Sequence, residues 1–165
     1  MSRKLFIPLI LFAGFSTNSS CSQTPAKNLT ELVFVASSPC GTGSRPLPGI
    51  PVNADCEWIK WNLRFSGDVT HPTTYKLTYT WGMTKQGTTE FMNGGTTVIM
   101  QGKWSVSKGI TTDPEAIVYI LDPDKPATSI QFVKLSDQLL HLLDKSKRLM
   151  VGSPAWSYTL NREQH

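Results

Sequence analysis

Between Glu57 and Phe65 the chain reads Glu-Trp-Ile-Lys-Trp-Asn-Leu-Arg-Phe, and this stretch limits the possible folds more than any other. Glu57, Ile59, Trp61, Leu63 and Phe65 fall on one side, and Trp58, Lys60, Asn62 and Arg64 on the other. Successive side chains of a β-strand point to opposite faces, so alternation of period two marks a half-buried strand. A helix would scatter the same residues around its circumference. The segment directly before it, Ala54-Asp55-Cys56-Glu57, is a cysteine-bearing turn that joins the strand without a linker.

The same period returns along the chain. Glu31 to Ala36 is a short β-branched and aromatic run, and Tyr75, Leu77, Tyr79 and Trp81 alternate with Lys76, Thr78 and Thr80. Thr96, Val98, Met100, Gly102, Trp104 and Val106 form one face of a long strand. Glycine midway along a strand is expected to mark a bulge or sharp bend. Ile117 to Leu121 is a further run, ended by Asp122-Pro123-Asp124. Ile130–Leu135 and Leu139–Leu143 flank Ser136-Asp137-Gln138 and read as a hairpin, and Ser157 to Leu160 gives a last short strand. Turn residues separate these runs: Pro39 to Pro51 is rich in proline and glycine, and Asn93-Gly94-Gly95 follows the strand ending at Trp81. No helix of convincing length is predicted. Seven or eight strands about ten residues apart, with turn signals between them, predict an all-β fold, either an antiparallel sandwich or a small up-and-down barrel.

The first twenty residues predict an export signal: Arg3 and Lys4, an apolar run from Leu5 to Phe15, then small polar residues to Ser20. The apolar run is too short for a permanent membrane span. Cys21 follows at once, which predicts a lipidated first residue of the mature protein. Ser19 and Ser20 fit the small side chains such a site needs, whereas Asn18 stands where leucine is usual. On this reading residues 1–20 are the signal, 21–30 a tether and 31–165 a single barrel domain. The expected address is the cell envelope, lipid-anchored at the outer membrane or in the periplasm, or else secreted. The 165 residues hold three cysteines. With Cys21 acylated, Cys40 and Cys56 remain as the disulfide pair expected of an exported chain. Without Arg3 and Lys4, 14 of the 16 basic side chains remain against 12 acidic ones, a net charge of about +2. The densest basic cluster is Lys145, Lys147 and Arg148, so no nucleic-acid partner is expected.

At this point the chain resembles the NlpE-type (copper-resistance) outer-membrane lipoproteins. The amino-terminal domain of that family opens with a Pro-Cys-Ala-Asp-Cys-Glu-Gly-Ile segment leading into a barrel strand. Ala54-Asp55-Cys56-Glu57-Trp58-Ile59 matches its second half. Gly102-Lys103-Trp104 matches a later Gly-x-Trp strand, Leu139 to Asp144 a Leu-x-x-Leu-Asp segment, and Tyr158-Thr159-Leu160 a closing Tyr-x-Leu strand. The likeness covers residues 51–161. It implies a lipocalin-like barrel at the outer membrane serving envelope-stress sensing or copper homeostasis. The sequence departs at Asn53, which stands where the family has its first cysteine, so no Cys-x-x-Cys chelate or dithiol is expected. The second, carboxy-terminal domain of the family is not expected in a chain stopping at His165.

Catalysis is not expected. A nucleophilic site needs Ser or Cys converging with His and a carboxylate. The histidines are His71 before a proline, His141 between leucines of a strand, and His165 at the terminus. No phosphate loop, zinc motif or carboxylate pair stands out. No cofactor is expected either; copper enters only through the resemblance. Cuprous ions favour thiolate and thioether donors. Met83, Met92, Met100 and Met150 offer thioethers without Met-x-x-Met spacing, and Met100 reads as core. Trp58, opposite Trp61, is the aromatic expected at a rim. With Met83 and Met92 it forms the candidate surface for an envelope-protein partner or a small apolar ligand. Two rival roles share the same scaffold: an inhibitor or accessory lipoprotein acting through the Gly82–Gly95 loop, and a carrier of a small apolar ligand.

Overall fold

The computed structural model describes residues 31–40, 47–153 and 156–164. Eight antiparallel strands pair in chain order and close on themselves: β1 (Leu32–Pro39), β2 (Trp58–Gly67), β3 (Pro72–Gly82), β4 (Thr96–Ile110), β5 (Asp113–Leu121), β6 (Ile130–Lys134), β7 (Leu139–Leu142) and β8 (Thr159–Arg162). Closure is made by β1 and β8, with Phe34 opposite Arg162 and Val35 opposite Asn161. Full closure leaves no unpaired strand edge. Among the described residues the one helical element is a single 3-10 turn, Met92–Gly94.

The alternation of residues 57–65 is realised as read: Ile59, Trp61, Leu63 and Phe65 are buried in the barrel, and Lys60, Asn62 and Arg64 face out. Tyr75, Leu77 and Tyr79 enter from β3, Trp104 from β4, Tyr119 and Leu121 from β5, Phe132 from β6, and Leu140 and Leu142 from β7. At eight strands an interior is just wide enough for side chains to fill it. Aromatic rings fill this one. Phe65 lies 4.7 Å from Trp104 and 5.5 Å from Tyr119, and those two rings are 5.1 Å apart between centroids. Their polar atoms need partners, since a buried unpaired donor is costly. The Trp61 indole donates to Ser38 Oγ at 2.7 Å, and the Trp104 indole to the Ser66 carbonyl at 2.9 Å. A second, smaller cluster of Val118, Val133 and Leu143, with Ile110 against it, packs on the outside of the wall.

Gly102 has a different role from the expected bulge. β3 and β4 stay in register through it, with Tyr75 opposite Gly102 and Leu77 opposite Met100. The irregularities fall instead between Phe65 and Gly67 and between Lys108 and Ile110. At Gly67 (φ +85°) the left-handed backbone favours glycine, and a Cβ there would meet the His71 carbonyl. Gly102 is needed for space: a Cβ would collide with the Asp122 carboxylate. Asp122, left-handed at φ +49°, turns its buried side chain into that gap, where Oδ2 accepts the Tyr75 hydroxyl at 2.9 Å.

The barrel has two distinct ends. The β1–β2, β3–β4, β5–β6 and β7–β8 connections leave from one, which also carries the disulfide and is called the stapled end below. At the other, the chain enters β1, leaves β8, and makes its shorter turns.

Candidate functional site

Cys40 and Cys56 form the expected disulfide, with Cα atoms 5.4 Å apart. It lies at the mouth of the β1–β2 connection, where Pro39 pairs with Trp58 and the Cys40 amide donates to the Glu57 carbonyl at 3.1 Å. The bridge therefore ties the end of one strand to the start of the next. Leu47 and Ile50, within the loop it closes, pack into the core, and the Pro48 carbonyl accepts the Tyr79 hydroxyl. Residues 47–50 are thus folded back over the barrel mouth.

Beside the staple stands a hairpin. Thr84 pairs with Phe91, and the Met92 amide donates to the Met83 carbonyl at 2.8 Å, so the two methionines are cross-strand neighbours. Two side chains from the turn and strand named at the outset hold this hairpin. Glu57 Oε2 accepts the Thr84 hydroxyl at 2.6 Å and the Thr84 amide at 3.1 Å, and the hydroxyl bond chiefly draws the carboxyl below its ordinary value. Lys60 donates to the Thr89 carbonyl and lies 5.2 Å from the centre of the Phe91 ring. Phe91 is buried beneath, while Met83 and Met92 are 41% and 53% exposed.

Trp58 pairs with Gly82, the residue before Met83, and its ring meets Trp156 edge to face with centroids 3.6 Å apart. Trp156 itself is exposed. The three predicted surface residues, Trp58, Met83 and Met92, are thus brought to one end of the barrel. Val52, Leu149, Val151 and Trp156 were not legible as parts of it. With Met83 and Met92 they make six of the nine large exposed hydrophobic side chains among the described residues. All six belong to connections that start from this end, although the β7–β8 connection reaches back until the Lys147 carbonyl accepts the Thr111 amide of the β4–β5 turn. An open cleft of about 690 Å³ widens the rim between the β5–β6 and β7–β8 connections, floored by Leu47, Ile130, Leu142 and Met150.

Cys40 and Cys56 are locked together, so neither offers a thiolate. Among the described residues no three His, Cys, Asp or Glu side chains converge as a metal site. Met83 and Met92 place two thioethers, a donor type that cuprous ions favour, side by side at the rim. His141 lies on the outside of β7, bonded to Thr159 Oγ1 and to the Met150 carbonyl, each at 2.9 Å. His71 lies in the β2–β3 turn at the other end, against Thr70 and Asp68. Cys21 and His165 lie outside the described residues, as do the export signal and the whole tether. Among the described residues no helix is long and apolar enough to cross a membrane. The chain matches no family model, no curated protein and no solved structure.

Proposed function

We propose that this is a non-catalytic cell-envelope lipoprotein of NlpE-like type, carried on Cys21, whose barrel docks a protein partner through the stapled rim. The observation behind the reading is the grouping of Trp58, Trp156, Met83 and Met92 at the stapled end. Contiguous exposed apolar side chains on a soluble domain mark interaction sites, whereas isolated ones need no explanation. Trp156, Met83 and Met92 are of the residue types enriched in interface cores. Glu57 and Lys60 hold the hairpin in one conformation, which lowers the ordering cost of binding.

Of the two roles that the resemblance implies, the exposed apolar side chains of the rim favour envelope-stress sensing, which needs a protein partner. An inhibitor or accessory lipoprotein would use the same hairpin as a preorganised plug, so it is a variant of this reading.

The test is site-specific photo-crosslinking in the native envelope, with the crosslinker at position 92 or 156 and, as control, at position 99 on the barrel wall. A discrete adduct from the rim positions and none from the wall is the expected result. Equal labelling at all three would remove the docking reading. Mass spectrometry of the purified protein gives the address separately: a diacylglycerol-modified Cys21 is expected, and an unmodified Cys21 would overturn the anchor.

A further inference from the structure

The opposite end of the barrel carries a second, unlike feature. Strand parity sends two basic side chains inward there. Lys134 follows Ile130 and Phe132 on the inner face of β6, and Arg162 follows Leu160 on the inner face of β8. With Tyr119 from β5 they line a cavity of about 210 Å³ at the barrel mouth, on an apolar floor of Leu32, Phe34 and Leu140. Mouths of β-barrels are a usual place for small-ligand sites.

The polar groups around this cavity are unevenly satisfied. Lys134 is paired with Asp137, an exposed carboxylate on the following turn. Asp68, whose carboxylate also borders the space, is held by the Thr70 hydroxyl at 2.6 Å, the Thr70 amide at 2.8 Å and the His71 amide at 2.9 Å. Arg162 makes no side-chain hydrogen bond or ion pair with a described residue. The Tyr119 hydroxyl likewise has no hydrogen-bond partner among them, although the residue is only 2% exposed. Burial raises the Tyr119 phenol above its ordinary value, while Lys134 and Arg162 draw it back. The mouth therefore holds a guanidinium and a hydroxyl with no hydrogen bond to a described residue, above an apolar floor.

We infer that Arg162 and Tyr119 bind the carboxylate of a small amphiphile whose short apolar body lies on Leu32, Phe34 and Leu140. The unbonded donors decide the class of ligand, because the lining itself is formally balanced, Lys134 and Arg162 against Asp68 and Asp137. A guanidinium presents two parallel N–H donors that match the two oxygens of a carboxylate, and a phenol adds a third donor. The apolar floor is short, made by three side chains, and so fits a short apolar body. Lys134 supplies a second cation if Asp137 swings outward. This site is independent of the rim and of the docking proposed there.

Isothermal titration of the folded chain with hexanoate, 1-hexanol and acetate tests the inference. Hexanoate is expected to bind at least about tenfold more tightly than either control, since it alone supplies both charge and apolar body. Arg162→Gln is expected to remove most of that preference, and Tyr119→Phe to weaken hexanoate several-fold with 1-hexanol unchanged. Circular dichroism of both variants controls for folding, and Tyr119→Phe removes only an unbonded hydroxyl. Equal binding of hexanoate and 1-hexanol, no binding of hexanoate, or unaltered hexanoate affinity in Arg162→Gln would each overturn the inference. So would a preference for hexyl phosphate over hexanoate.

Discussion

Gly102 and Asp122 occupy one niche in the barrel wall: the glycine leaves a gap, and the carboxylate fills it to receive the Tyr75 hydroxyl. Alanine at position 102 must expel the carboxylate or bend the strand. Gly102→Ala should therefore cost about 2–3 kcal/mol, from overpacking together with a disturbed buried hydrogen bond. Tyr75→Phe, which removes the donor and leaves Asp122 buried, should cost about 1–3 kcal/mol. Urea unfolding followed by tryptophan fluorescence measures both. A Gly102→Ala protein as stable as the wild type would show that the niche is not needed.

The staple spans 16 positions of sequence. Closing a loop of that size restricts the unfolded chain by about 3 kcal/mol on the chain-entropy account. The Cys40→Ser, Cys56→Ser double variant should lose about that much, with the barrel's far-ultraviolet spectrum retained below its lowered melting point. The hairpin bearing Met83 and Met92 should keep its protection from hydrogen exchange, being held by Glu57 and Lys60 rather than by the disulfide. Loss of that protection in the variant would contradict the assignment.

Acid sensitivity follows from the carboxylates of the loops. Asp68 has its carboxyl lowered to about 2 from the ordinary 3.8, chiefly by the Thr70 hydroxyl and then by the His71 and Thr70 amides. A depressed native value means that the stabilisation is present above the unfolded value and lost as pH falls through the native one. The sensitive window is thus from about pH 4 down to about pH 2. Asp137, bonded to Lys134, and Asp144, bonded to the Arg148 amide, are lowered as well and act in the same direction. Asp68→Asn should show a shallower fall in urea midpoint across this window than the wild type. Parallel curves for the two proteins would remove Asp68 as a contributor.

The barrel was legible because its signal is local. Residues 57–65, 75–81 and 96–106 each state a period of two, and closure needs only that every run have an inner face. The disulfide followed from counting cysteines in an exported chain. What escaped was set by contacts distant in sequence. Gly102 announces a special position, but whether it bends a strand or admits a carboxylate depends on Asp122, twenty positions away and itself in an unusual backbone conformation. Trp156 gives no periodic signal, and only the folded β7–β8 connection brings it to Trp58. Lys134 and Arg162 read as ordinary ends of strands. Continuing the parity of Phe132 and Leu160 by one step would have turned both inward, and that step was available in the sequence.

The antiparallel neighbours β1 and β8 have a topological consequence. The start of β1 and the finish of β8 lie side by side, the Glu163 amide donating to the Val33 carbonyl at 2.9 Å. A linker from 164 back to 31 would join neighbours, so new termini opened in the β4–β5 turn should give a circular permutant with the same barrel. The same adjacency gives the molecule a polarity. Both ends of the barrel segment leave from one pole, and the disulfide lies at the other.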